Sequence, residues 1–158
     1  MIILRMRITY SPPPTSVRRF NEVSRETYRE GASYWTRQFL PRHFRHGADV
    51  RYGYKPRTPK YLRTRAKRGK PPLVHSGLTS SRISQGMPNI KPYPTRVKIE
   101  LHVPSYIRMT PRGTKHPNMA REIFQTNVFE RPQIHAVMGR YADRKLRETK
   151  ERRTITIG

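Results

Sequence analysis

The sequence predicts an α+β chain whose elements run β-α-arm-β-β-α-β. Three observations carry this reading. Apolar residues alternate over residues 2–10 and 96–103. They recur at helical spacing after Ser16 and again after Pro132. Between the first helix and the second strand lies a basic, proline-bearing arm from Arg42 to Pro72. A period of two marks a half-buried strand, and a period of 3.6 marks a helix with one buried face.

In the first strand, Ile2, Leu4, Met6, Ile8 and Tyr10 share one face, with Arg5, Arg7 and Thr9 opposite. Pro12-Pro13-Pro14 ends it, and Thr15 or Ser16 can cap the helix that follows by accepting from a free backbone N–H. That helix is expected to run to Leu40, where Pro41 stops it. Val17, Phe20, Val23, Thr27, Tyr34, Trp35 and Phe39 form its apolar stripe. Glu22, Glu26 and Glu30 are spaced to pair with Arg18, Arg25 and Arg29. Gly31 weakens the middle by about 1 kcal/mol relative to alanine.

The arm holds eleven Lys or Arg against one acid, Asp49, with Phe44, Tyr52, Tyr54 and Tyr61 interleaved. Unpaired charges are too costly to desolvate for such a segment to form a core. It is therefore expected to be extended, with one helical turn at 61–67, and either to lie on something negative or to stay solvated. Leu73-Val74 marks where the chain rejoins the fold, and residues 74–84 read as a turn into a short strand. In the strand over 96–103, Val97, Ile99, Leu101 and Val103 face one way and Arg96, Lys98, Glu100 and His102 the other. A second helical region begins near Met119, with Pro132 suited to a first turn and Ile134, Val137, Met138, Tyr141 and Leu146 as its stripe. Arg153 to Ile157 reads as a closing edge strand.

A length of 158 residues fits one domain, 1–158, with the arm 42–72 as an extended insertion. A net charge of +24 repels itself in a compact monomer and calls for an acidic partner. The chain has no cysteine, which removes disulfides, thiol catalysis and cysteine-bound zinc. No apolar run approaches the roughly 20 residues that span a bilayer, and Arg5 and Arg7 interrupt the N-terminal apolar stretch before a signal-peptide core can form. The chain reads as a cytosolic product or part of something assembled there, with no apolar face opposite its basic residues to seat it on a membrane.

No catalytic residue emerges. The ten acids are scattered, Ser76-Gly77 lacks the Gly-x-Ser-x-Gly setting of a nucleophile elbow, and Gly47, Gly53 and Gly69 do not make a phosphate loop. His43 and His46 have only Asp49 nearby in sequence, so no metal site or cofactor is expected. The candidate binding residues lie in the arm: Arg51, Tyr52, Tyr54, Lys55, Arg57, Lys60, Tyr61, Arg63, Arg65, Lys67, Arg68 and Lys70. Their cations can neutralise phosphates and their tyrosines can stack on bases. The same cations can equally dock on acidic faces of partner subunits, and charge alone does not choose between the two.

The run Arg51-Tyr52-Gly53-Tyr54-Lys55-Pro56-Arg57, then Tyr61, then Lys67-Arg68-Gly69-Lys70-Pro71-Pro72-Leu73-Val74-His75-Ser76-Gly77-Leu78 resembles the neck and tail-completion proteins of tailed bacteriophages. These are often described as virion morphogenesis or tail component proteins. Met119-Ala120-Arg121-Glu122-Ile123, with Glu130 and the helix over 134–146, is similar to their C-terminal part. In those proteins Pro-Leu-Val-x-Ser/Thr-Gly-x-Leu leads into a strand hairpin, whereas here Leu78 follows Gly77 directly. The resemblance implies a small antiparallel β-sheet flanked by two helices, with a long extended basic loop. It implies a homo-oligomeric ring between portal-side connector proteins and tail proteins in the virion neck, assembled in the host cytoplasm. It implies no catalytic residue, and it leaves room for contact with packaged DNA. The alternative is a nucleic-acid-binding protein such as a ribosome-associated one, which shares the charge and the extended basic loop.

Overall fold

The computed structural model describes residues 3–4, 16–57, 88–101 and 119–154, with positions 59, 60, 63, 71, 73, 80, 81 and 83 between them. The fold is α+β. Its elements are β1 (Ile3–Leu4), α1 (Val17–Gln38), a 3-10 turn (Leu40–Phe44), α2 (Ala48–Tyr52), β2 (Asn89–Pro92), β3 (Val97–Glu100), α3 (Met119–Ile123) and α4 (Glu130–Thr154).

Helix α1 begins where Ser16 in extended conformation accepts from the Arg19 N–H at 3.2 Å. It ends before Pro41, whose ring fits the first turn of the 3-10 segment. One face of α1 packs on the sheet and another on α4. Tyr28, Ala32, Trp35 and Phe39 are buried there with Val97, Ile99, Ile134 and Met138. Gly31 has a packing role that its spacing did not disclose. A Cβ at this position would sit 2.6 Å from both Cγ and Sδ of Met138, so glycine is what lets α1 and α4 approach.

The sheet is antiparallel in the order β1-β3-β2. Ile3 and Leu4 lie opposite Lys98 and Val97, and Asn89 to Pro92 lie opposite Glu100 to Val97. Val97, Ile99 and Leu101 are buried, as their alternation requires. On the other face Lys91 stands opposite Lys98, a repulsive pairing. Glu100 relieves it, lying 3.0 Å from Lys91 Nζ and 2.7 Å from Lys98 Nζ. These lysines hold the Glu100 carboxyl down at about 2.

Four local expectations change. The short strand expected within 74–84 gives way to helical backbone at Ser80, Ser81 and Ile83, and the strand that pairs with β3 is Asn89–Pro92. The edge strand expected from Arg153 begins instead inside α4, which runs on to Thr154; 155–158 lie outside the described residues. The second helical region is two helices, broken between Ile123 and Glu130. Of the expected ion pairs in α1, Arg18–Glu22 forms at 3.4 Å, while Glu30 lies 3.7 Å from Arg37 and Glu26 accepts from the Tyr141 hydroxyl. Within the first strand expected over 2–10, only 3–4 are described.

Candidate functional site

The arm begins as folded structure. Residues 42–57, expected to be extended, form the end of the 3-10 turn, helix α2 and a short descent into the core. Glycines in left-handed conformation flank α2: Gly47 at φ 76° and Gly53 at φ 60°. Residues with a Cβ are disfavoured there, so both positions need glycine. Between them Ala48 and Tyr52 point inward, and Tyr54 follows, buried like them.

Three aromatic rings stack at this arm root. His43 lies on Tyr52 with centroids 3.8 Å apart and planes 15° apart. Tyr52 and Tyr54 lie 5.9 Å apart at 17°. His43 Nδ1 and the Tyr54 hydroxyl are hydrogen-bonded at 2.5 Å. His43 Nε2 is buried and has no hydrogen-bond partner among the described residues. Burial lowers the His43 pKa to about 4, with the backbone of Glu122 and Gln125 pulling the other way. The ring is therefore neutral at pH 7, and burial likewise pushes the hydroxyls of Tyr52 and Tyr54 well above the usual phenol range.

Two acids distant in sequence close the root. The Tyr52 hydroxyl donates to Glu130 Oε1 at 2.6 Å across 78 positions. Glu122 takes a two-pronged contact from Arg57, Nη1 to Oε1 at 2.9 Å and Nη2 to Oε2 at 2.6 Å. It also accepts from the Lys55 N–H at 3.2 Å. The Arg57 and Glu122 side chains are only 12% and 5% exposed. This is how the described part of a basic segment comes to be buried: its submerged Arg57 has a submerged anion in matched geometry.

The entry to α4 completes the arrangement. Asn127 Oδ1 accepts from the Phe129 N–H at 3.0 Å, and Glu130 Oε2 accepts from the Asn127 N–H at 3.2 Å, a reciprocal cap. Asn127 Nδ2 donates to the Arg51 carbonyl at 2.6 Å, so the capping residue also grips α2.

The candidate binding residues thus divide. Tyr52 and Tyr54 are in the core with faces covered by His43 and by each other, which corrects the expectation that they are open to stack on bases. Arg57 is engaged by Glu122. Arg51, Lys55, Lys60 and Arg63 are exposed. Tyr61, Arg65, Lys67, Arg68 and Lys70 lie outside the described residues, as does most of the helical turn expected at 61–67; Pro59, Lys60 and Arg63 are helical. Leu73, where the chain was expected to rejoin the fold, is buried and held at φ 61°. A left-handed leucine costs about 1–2 kcal/mol. Sequence reading missed His43, Glu122, Asn127 and Glu130. One signal was present: Glu122 and Glu130 are the only acids in residues 101–142, between basic stretches.

Among the described residues, no three of His, Asp and Glu converge as metal ligands, and no helix is long and apolar enough to cross a membrane. Comparison with protein-family models, with curated proteins and with solved structures gives no match for this chain.

Proposed function

We propose that this chain is a structural head–tail connector of a tailed phage virion, a neck or tail-completion protein that forms a ring of identical subunits joining head and tail. The observation that supports this best is the construction of the arm root. Residues 51–57 are fastened to α3, α4 and the turn between them by Tyr52–Glu130, Arg57–Glu122 and Asn127–Arg51, so the basic segment beyond Arg57 departs from a fixed point. A charged segment launched from a rigid base suits a clamp onto neighbouring subunits. The resemblance of 51–78 to neck proteins points the same way. The buried acids, Glu122 and Glu130, are used to hold the arm root together, which suits a role in assembly.

The charge of +24 favours one second reading, a nucleic-acid-binding protein. The two separate by experiment. Removing the gene product during infection is expected to leave DNA-filled heads and finished tails unjoined in electron micrographs of the lysate. Joined, infectious particles without it would refute the connector role. Tight RNA or DNA binding by the isolated chain, with affinity falling steeply as salt rises, would promote the second reading.

A further inference from the structure

We propose that the base of the arm carries a protein-docking surface anchored by Val50, Val128 and Phe129, and that its occupant is an acidic protein segment bearing apolar side chains. The inference does not depend on the connector reading. It begins with exposure: Val50 is 86% exposed, Val128 75% and Phe129 77%. A scattered apolar residue needs no explanation, but these three come from two segments that one hydrogen bond joins. Asn127 Nδ2 holds the Arg51 carbonyl at 2.6 Å. Val50 precedes that carbonyl's residue, and Val128 and Phe129 follow the asparagine.

The positions are preset as well as exposed. Phe129 follows directly on the capped turn, its N–H fixed by Asn127 Oδ1. Val50 sits mid-helix in α2, between buried Ala48 and buried Tyr52, so its own side chain is turned outward. With the backbone fixed at both positions, only side-chain rotamer freedom remains to be lost on binding, which favours an anchor.

Charge selects the occupant. Arg45, Arg51 and Arg131 are exposed in the same two segments. Of the two acids there, Asp49 is half-buried and Glu130 is buried, its carboxylate taken by Tyr52 and by the Asn127 N–H, so the arginines outnumber them at the surface. A basic rim around apolar anchors complements an acidic partner with apolar groups. A second copy of this chain is the poorer fit. It brings another +24, and five of its glutamates are already paired internally: Glu22 with Arg18, Glu30 with Arg37, Glu100 with Lys91, Glu122 with Arg57, and Glu148 with Lys145. A phosphate backbone would satisfy the arginines but gives the two valines nothing to bury against.

The test uses the full chain and two fluorescein-labelled synthetic peptides, read by fluorescence anisotropy at physiological ionic strength. One peptide is built of glutamate and leucine; the other has serine at every leucine. The leucine peptide is expected to bind at least tenfold more tightly. The double variant Val50→Ser/Phe129→Ser should remove that advantage and leave the serine peptide unchanged. Both sites are exposed, so circular dichroism and the thermal midpoint should match the parent. Equal affinity for the two peptides, or a leucine-peptide affinity indifferent to the double variant, would overturn the proposal. So would self-association in sedimentation, or duplex DNA binding, that the double variant abolishes; these would assign the face to a second copy or to nucleic acid.

Discussion

Where α1 meets α4, contact is made by small and apolar side chains at close range, Gly31 against Met138 and Ile134. Where the arm root meets α3 and α4, contact is made by a few directed polar bonds around stacked rings, chiefly Arg57–Glu122 and Tyr52–Glu130. The first contact is non-directional and spread over many atoms, so losing one contact leaves the rest standing. The second is concentrated in seven side chains, His43, Tyr52, Tyr54, Arg57, Glu122, Asn127 and Glu130. Removing one partner there leaves another polar group buried and unmatched. The arm root should therefore be the part that a single polar substitution or a mild pH change detaches first, while the helix pair responds to volume.

The largest effect is expected at Glu122. Glu122→Ala strands the Arg57 guanidinium in a site where its side chain is 12% exposed, and should cost about 3–5 kcal/mol. Limited trypsin digestion should cut after Arg57 well before it cuts within α1. Simultaneous loss of both regions would show that they are one cooperative unit.

Acid should act next. His43 titrates near 4 in the folded protein and near 6.5 unfolded, so the unfolded chain binds the extra proton between those values. Stability from this group is complete above about pH 6.5 and falls as pH drops toward 4, by about 3 kcal/mol in all. Denaturant midpoints measured across that window should follow this slope, and His43→Phe should flatten it.

Gly31→Ala sharpens the comparison from the other side. Its methyl group meets the buried Met138 at 2.6 Å, and overpacking of this kind costs about 1–3 kcal/mol despite alanine's better helix propensity. In the background of Met138→Ala the same change should be neutral or stabilising, a coupling that a double-mutant cycle in urea measures directly. The smallest effect is expected at Asn127→Ala, about 1–2 kcal/mol for the lost cap and the lost bond to the Arg51 carbonyl. It should raise hydrogen exchange at Phe129, whose N–H Asn127 holds.

The helix pair was largely legible in the sequence and the arm root largely was not. Ser16, Pro41 and the stripe through Trp35 delimit α1 because caps and periodicity are local signals. Val97 and Ile99 mark β3 for the same reason. Asn89–Pro92 carries no such pattern. It is an edge strand whose exposure alternates only between full and partial, with a proline that an edge tolerates, and β3 supplies its pairing. Arg153-Thr154-Ile155-Thr156-Ile157 alternates like a strand, yet the helix formers upstream carry α4 through Thr154. The root failed for a different reason. Tyr52 and Arg57 read as solvent-facing because their partners, Glu130 and Glu122, lie 78 and 65 positions away, and Tyr54 because its partner His43 itself reads as a surface residue in a basic run. A tyrosine in a basic run looks the same whether its hydroxyl meets water or a buried carboxylate.

The central claim, that this chain is a ring-forming connector whose arm departs from a fixed root, is tested most directly by quantitative mass spectrometry of purified virions, with the major capsid protein as internal standard. The account predicts a low, fixed copy number, the same in every preparation and equal to one ring of subunits per particle. Absence from purified virions, with the protein recovered instead on ribosomes or free nucleic acid, would contradict it.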